Sequence, residues 1–118
     1  MKKSLTDTTW RVACRGQASG RVVIVRTQDD LVRVQAGDVL VAKQTDMNYT
    51  PQMLMASAVI TEDGGRYSHA AIFTRENGIP CMVGVDGIMS QIQDGDILEI
   101  DTETKTIKIK SVQMKEGQ

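Results

Sequence analysis

The sequence has few of the residue types from which metal sites and disulfides are built. Its 118 residues include one histidine, two cysteines, one tryptophan, two tyrosines and one phenylalanine. Cys14 and Cys81 together with a single histidine are too few ligands for a closed zinc site, so we expect no bound metal. We interpret both cysteines as buried thiols rather than as a disulfide, because each lies among apolar, strand-like residues.

No charge of one sign prevails, and no long apolar run is present. The chain has 14 lysine and arginine residues and 15 aspartate and glutamate residues, with a formal net charge of −1. This balance gives no electrostatic basis for binding nucleic acid, and the few aromatic residues argue against a base-stacking surface. No apolar segment approaches the ~20 residues that a membrane-spanning helix needs, and the N-terminus lacks the apolar core of a signal peptide. We therefore expect a soluble, cytoplasmic protein that binds neither nucleic acid nor a membrane.

The pattern of apolar and turn-forming residues predicts one α/β domain with many strands and few helices. Short apolar runs predict strands over residues 10–14, 21–25, 39–42, 58–61, 80–83 and 97–100. Alternating apolar and polar residues predict a last strand over 106–110 with one face in water. Short helices are predicted over residues 28–34, late in 45–57, over 70–76 and within 84–93. Polar residues 1–9 are expected to form a loose lead-in, residues 16–20 a glycine-rich connection, and residues 111–118 a polar tail.

A strand, a glycine turn and a helix are predicted around the only histidine. Gly64-Gly65 forms the turn, and a run of helix-forming residues follows His69. This helix should end at Asn77-Gly78, because both residues tolerate the left-handed conformation that closes a helix. Ser68 is the expected N-cap, which places His69 in the first turn.

This arrangement suits phosphoryl chemistry at His69. A helix N-terminus offers unpaired backbone N–H groups and the positive end of the helix dipole, which favour a bound anion. Gly64-Gly65 lets the backbone approach such a group closely, and Gly65→Val would impair folding if the turn needs a positive φ there. A neutral imidazole is nucleophilic through a ring nitrogen. The alternative is that His69 is a capping or packing residue.

Several separated segments of the chain resemble those of one known family. The longest is Gly64-Gly65-Arg66-Tyr67-Ser68-His69-Ala70-Ala71-Ile72-Phe73-Thr74-Arg75, followed by Gly78-Ile79-Pro80 and Val83-Gly84. Others match in the same order, namely Gly16-Gln17-Ala18-Ser19-Gly20-Arg21, Ala36-Gly37-Asp38-Val39-Leu40-Val41-Ala42 with Thr45, and Gln93-Asp94-Gly95-Asp96. Together they resemble the mobile phosphohistidine domain of phosphoenolpyruvate-utilising enzymes. That family includes pyruvate phosphate dikinase, phosphoenolpyruvate synthase, enzyme I of the sugar phosphotransferase system and rifampin phosphotransferase.

The resemblance implies both a fold and a chemistry. It divides the chain into a lead-in with the first strand over residues 1–13, the phosphohistidine domain over 14–110, and the tail over 111–118. It implies the swivelling β/β/α fold and a phosphoryl carrier in which Nε2 of His69 is transiently phosphorylated. The other ring nitrogen must then be held by a hydrogen bond that fixes the tautomer, from a partner that the sequence does not name.

The resemblance also implies partners. Complete enzymes of the family carry a nucleotide-binding domain and a barrel domain that binds phosphoenolpyruvate or pyruvate, and this chain is too short for either. We expect no cofactor on this domain, with Mg²⁺ and ATP or phosphoenolpyruvate bound by the partner domains. The chain would be a phosphotransferase component, either as a stand-alone protein or as a piece of a longer one.

Residues close to His69 in the sequence are candidates for supporting the phosphoryl group: Gly64, Gly65, Ser68, Arg66 and Arg75. Backbone N–H groups and guanidinium groups would neutralise its charge. For each arginine the alternative is a surface ion pair with Glu62, Asp63 or Glu76.

Two positions depart from the family pattern. Tyr67 stands where threonine is usual, two residues before the histidine, and Met47 stands where proline is common. Tyr67 favours a second hypothesis, in which the chain is a non-catalytic interaction module that has kept the fold. We interpret Met47, Met53 and Met55 as core-filling residues, with an adaptable docking surface as the alternative.

Overall fold

The computed structural model of the chain describes residues 2–111. Its strands are β1 Lys2–Thr6, β2 Arg11–Cys14, β3 Gln17–Val25, β4 Val39–Ala42, β5 Ala58–Thr61, β6 Cys81–Val83, β7 Ile97–Asp101 and β8 Thr106–Lys110. Its α-helices are α1 Thr50–Met55 and α2 His69–Asn77, and 3₁₀ helices cover Gln28–Arg33, Met47–Tyr49 and Ile88–Ser90. This strand-rich arrangement with a few short helices confirms the predicted α/β class. Among the described residues, no helix is long and apolar enough to cross a membrane.

The strands join in the order β1-β8-β7-β3-β4-β5-β6-β2, and the direction of pairing changes along β3. Residues 17–21 of this long strand pair antiparallel with β7. Residues 22–25 pair parallel with β4, and β5 and β6 continue the parallel part. At the far edge, β2 pairs antiparallel with β6. One strand thus connects an antiparallel and a parallel half.

Gly20 lies where β3 passes from one half to the other. A Cβ atom at this position would collide with the carbonyl oxygen of Gly37, in the turn before β4. The absence of a side chain therefore allows the strand and this turn to approach closely. The predicted glycine-rich connection over residues 16–20 is wrong for residues 17–20, because these pair with β7.

Two apolar clusters cover the two faces of the parallel strands. One joins alternate residues of these strands, such as Val22, to residues of β7 and β8, such as Leu98. The other includes Val23 and Leu40 from the same strands and Ala71 from α2. The molecule therefore has three layers, which are antiparallel strands, parallel strands and helices. Burial on both faces explains why β4 is continuously apolar and β5 is apolar up to its last residue, Thr61, rather than alternating.

The N-terminal segment belongs to the sheet. The prediction of a loose lead-in over residues 1–9 is wrong for Lys2–Thr6, which form β1 and pair antiparallel with β8. Polar residues are compatible with an edge strand whose one face meets water, and Leu5 supplies the apolar contact with the core. Of the predicted tail, Ser111 is described and residues 112–118 lie outside the described residues. The three-part division of the chain stays a prediction.

Candidate functional site

The turn after β5 enters α2 through a capped helix start. Ser68 has extended backbone angles, and its hydroxyl accepts a hydrogen bond from the backbone N–H of Ala71 at 3.3 Å. The same hydroxyl donates to the carbonyl oxygen of Gly65 at 2.9 Å, so the serine ties the turn to the helix. At the other end, Gly78 closes α2 in the left-handed conformation. Both ends of the helix lie where the sequence predicted them.

Of the two glycines in the turn, Gly64 is the one whose backbone conformation requires glycine. Its φ is +113°, and a Cβ atom there would lie 3.0 Å from Oγ of Ser68. Gly65 is not among the residues with positive φ, and a Cβ atom at this position would meet open space. The condition set for Gly65→Val, a positive φ at Gly65, is therefore not met. The need for glycine lies one residue earlier.

His69 is the first residue of α2, and Thr45 holds its ring on one side. The ring nitrogen Nδ1 lies 2.7 Å from Oγ1 of Thr45, a buried residue, while His69 itself is half-buried. A hydroxyl can donate or accept a hydrogen bond. When Nδ1–H donates to Thr45, the lone pair of Nε2 is free for chemistry. Nε2 has no hydrogen-bond partner among residues 2–111.

Thr45 reaches the histidine because β4 and β5 are neighbouring parallel strands. The segments that follow two such strands leave the sheet at the same edge, where α/β proteins place their functional groups. Thr45 follows β4, and His69 begins the helix after β5. The sequence alone named no partner for the ring. The contact of Thr45 with His69 could have been predicted from one signal, the parallel pairing of two successive buried strands.

Phe73 fixes the ring of His69 from a second side. The two side chains are one helical turn apart, with ring centroids 5.8 Å apart and planes inclined by 14°. Phe73 also packs against the apolar cluster beneath the helices. A hydrogen bond at one ring nitrogen and a stacked neighbour together restrict rotation of the imidazole. The two contacts therefore restrict the orientation of Nε2.

The two arginines predicted to support a phosphoryl group differ in their surroundings. Arg75 donates from Nε to the carbonyl oxygen of Ala13 at 3.2 Å and from Nη2 to that of Arg66 at 3.0 Å. Its guanidinium therefore links α2 to β2 and to the turn before the helix. The side chain of Arg66 is exposed and forms no hydrogen bond within residues 2–111. A role of either arginine in supporting a phosphoryl group stays a prediction.

The acidic residues Glu62, Asp63 and Glu76 were candidates for ion pairs with these arginines. None of them forms such a pair in the described part of the chain. Glu62 accepts a hydrogen bond from the backbone N–H of Met89 at 2.9 Å. Asp63 lies 3.5 Å from the ammonium of Lys43. Glu76 forms no ion pair with another described residue. The alternative of surface ion pairs for Arg66 and Arg75 is therefore not seen in the described part of the chain.

Three of the methionines and Tyr67 differ in their exposure to solvent. Met53 is fully buried, but Met47 is 80% exposed and Met55 40% exposed. The interpretation as core-filling residues is right for Met53 and wrong for the other two. Tyr67, two residues before His69, is also 80% exposed. The turn that carries the histidine thus presents an aromatic side chain to solvent.

Comparison with known protein families gives a match. The model of the PEP-utilising enzyme mobile domain matches residues 34–105, a range that contains Thr45, Gly64-Gly65 and His69. The chain belongs to this family. The mobile domain is 43% identical to phosphoenolpyruvate synthase of Aeropyrum pernix over 90 residues, which cover 75% of the chain and 11% of the synthase. It therefore spans about a tenth of the length of such relatives.

Solved structures share the fold of the mobile domain. An Enzyme I structure (nEIt) is 28% identical, with a TM-score of 0.57, and the match covers 70% of this chain and 34% of that one. Aconitase X of Thermococcus kodakaraensis gives a TM-score of 0.67 at 16% identity, with 92% of this chain and 99% of that one covered. At this lower identity the likeness concerns the fold alone.

Proposed function

We propose that the mobile domain carries a phosphoryl group on Nε2 of His69 between sites on two partner domains. The observation that supports this is the contact between Nδ1 and Thr45, which leaves the opposite ring nitrogen without a partner among the described residues. One site would bind ATP and the other pyruvate or phosphoenolpyruvate. Likeness to phosphoenolpyruvate synthases, of which the chain matches one part, supports this choice of partners.

In the proposed loading step, the lone pair of Nε2 forms a bond to phosphorus. The bond between phosphorus and the leaving oxygen of the donor breaks, and that oxygen keeps the electron pair. Nδ1 keeps its proton and donates a hydrogen bond to Oγ1 of Thr45, which stabilises the positive charge that develops on the ring. Transfer to the acceptor reverses these changes.

The start of α2 would contribute to the binding of the phosphoryl oxygens. The N–H groups of Ala71 and Ile72 bond to Ser68, whereas those of His69 and Ala70 have no partner within the described residues. Such unpaired donors at the positive end of a helix dipole favour negative oxygens. Mg²⁺ and the nucleotide would be held by the partner domains, so this domain supplies the nucleophile and its orientation.

The test is phosphoryl loading of the chain by a partner. The 118-residue chain is incubated with ATP, Mg²⁺ and a phosphoenolpyruvate synthase from which the mobile domain has been removed. Intact and peptide masses are then measured at alkaline pH, because a phosphorus–nitrogen bond is labile in acid. We expect one added phosphoryl group, lost in acid and located on the peptide that contains His69.

His69→Ala is the control for this experiment. The chain has one histidine, so this variant can form no phosphohistidine and must remain unlabelled. Unlabelled wild-type chain would overturn the carrier proposal, provided that the truncated synthase loads its own mobile domain when that domain is added back as a separate protein. That outcome would support the interaction module, which the exposed side chain of Tyr67 favours.

A further inference from the structure

A cleft beside the turn that carries His69 concentrates positive charge. Its volume is about 310 Å³, and three arginines line it together with Tyr67, namely Arg11, Arg66 and Arg75. The rest of its lining comes from apolar residues of β2. No carboxylate of the described part of the chain therefore lines the cleft.

Three different elements contribute the arginines of this cleft. Arg11 begins the edge strand β2, Arg66 lies in the turn after β5, and Arg75 lies on α2. Arg75 is fixed by hydrogen bonds to the carbonyl oxygens of Ala13 and Arg66. One guanidinium is thus held in place by the backbone of the other two elements, which positions it before any ligand binds.

The positive charges of the cleft are not compensated within the described chain. Arg11, Arg66 and Arg75 form no ion pair with any of residues 2–111. By contrast, Arg21 lies 2.8 Å from Asp38. The formal net charge of the whole chain is −1, so the cluster does not reflect a generally basic composition. Like charges gathered without a counter-charge repel each other, and a bound anion removes that repulsion.

We propose that this arginine cleft is a binding site for a phosphate-class oxyanion. Guanidinium groups match the oxygens of phosphate in a two-pronged geometry, and the exposed ring of Tyr67 adds a hydroxyl and an aromatic face. Arg75 lies about 120° from His69 around the axis of α2. The cleft is therefore a separate subsite beside His69 and does not contain Nε2 of its ring. The anion is either free phosphate or the polyphosphate of a nucleotide that a partner domain holds and presents to the cleft. Only the nucleotide source rests on the proposed function.

The test is a titration of the 118-residue chain carrying His69→Ala, which prevents phosphoryl transfer. Two-dimensional NMR follows the arginine Nε–H groups while inorganic phosphate, tripolyphosphate or ATP is added at constant ionic strength. We expect saturable shifts at the three arginines of the cleft. Tighter binding of ATP than of tripolyphosphate assigns the site to a nucleotide, and equal or weaker binding assigns it to phosphate alone. Equally tight binding of the tricarboxylate tricarballylate would overturn the assignment to phosphate.

Charge-removing variants locate the binding. Arg11→Gln and Arg66→Gln should each weaken tripolyphosphate binding about fivefold, because each removes a charge-assisted contact. Lys108→Gln, on β8 near the opposite end of the strand order, makes the same change in net charge and should alter the affinity less than about twofold. Absence of saturable shifts, or equal weakening by Lys108→Gln, would overturn the proposal. Failure of His69 to accept a phosphoryl group would leave this result untouched, because the titration uses chain that lacks His69.

Discussion

In the proposed carrier, Thr45 decides which nitrogen of His69 is available for chemistry. Its hydroxyl lies 2.7 Å from Nδ1, and this is the only hydrogen bond of the ring within residues 2–111. A hydroxyl that accepts Nδ1–H favours the tautomer in which Nε2 keeps its lone pair. In the proposed carrier the threonine is a positioning residue, because it acts through the histidine.

Thr45→Val tests this role, because valine keeps the shape of the side chain and removes the hydroxyl. We expect the rate of phosphoryl loading to fall about tenfold, since one hydrogen bond that orients the ring is lost. Thr45→Ser keeps the hydroxyl and should restore most of the rate. Initial rates of label incorporation measure both. A rate for Thr45→Val equal to that of the wild type would show that the contact does not set the tautomer.

Gly64→Ala should destabilise the fold while Gly65→Ala should not. Gly64 has a φ of +113° and a new Cβ would press against the side chain of Ser68, whereas the position of Gly65 is open. We expect the free energy of unfolding to fall by about 2 kcal/mol for Gly64→Ala and by less than about 0.5 kcal/mol for Gly65→Ala. Urea unfolding measures both. Equal effects at the two positions would contradict the backbone geometry of the turn.

Cys81 should make the stability of the chain depend on alkaline pH. Burial raises the pKa of its thiol from 9.0 to about 12, against a smaller opposite effect of the hydrogen bond with Thr74. Because the folded pKa is the higher one, this contribution to stability is complete below pH 9 and declines as the pH rises towards 12. Between about pH 8 and about pH 10, ionisation of the unfolded thiol should lower the free energy of unfolding by about 1.4 kcal/mol.

Cys81→Ala separates this effect from other groups that titrate in the same range. The variant should lose less stability than the wild type between these two pH values, by about 1.4 kcal/mol in urea unfolding. The same pH dependence in both proteins would mean that the Cys81 thiol is not protected in the folded state.

At the scale of elements, β1 shows that polar residues can complete a sheet. Lys2–Thr6 pair with β8 along their whole length, and Leu5 packs against the core. Leu5→Ala should lower the free energy of unfolding by about 1 kcal/mol, because it removes partly buried apolar surface. Ser4→Ala, at the exposed neighbouring position, should have little effect. Denaturant unfolding of the two variants compares them, and no loss for Leu5→Ala would favour the loose lead-in that the sequence suggested.

The sequence predicts elements whose signals are local. The parallel strands β4 and β5 consist mainly of apolar residues, and α2 has both its N-cap serine and its closing glycine, so their positions follow from neighbouring residues. The first half of β3 and the whole of β1 depend on partners distant in the chain, β7 and β8. Their polar composition gives no local sign of such pairing.

The candidate site likewise has features that follow from local sequence and features that depend on distant parts of the chain. The serine cap, the glycine turn and the histidine at the helix start follow from one short stretch of sequence. Thr45 and the arginine cleft depend on which strands lie side by side, so neither is visible before the sheet order is known. Exposure of Met47 likewise depends on the surroundings of its 3₁₀ helix rather than on its own apolar character.

At the scale of the whole molecule, the three layers place His69 at the edge of the parallel strands. Thr45 and the turn before α2 meet at this edge, while both faces of these strands are covered by apolar clusters. The site therefore lies where a partner can approach without disturbing the core. A domain that spans about a tenth of its relatives and carries one oriented histidine fits a carrier that visits sites elsewhere.

The bond between phosphorus and nitrogen in the loaded chain is the most direct test of the carrier proposal. The chain is labelled uniformly with ¹⁵N, loaded with a phosphoryl group by the partner, and studied by ¹⁵N and ³¹P NMR at alkaline pH. We predict one ³¹P signal coupled to Nε2 of His69, with the proton retained on Nδ1 beside Thr45. Coupling of phosphorus to Nδ1, or phosphorus bound to any residue other than His69, would contradict the proposed chemistry.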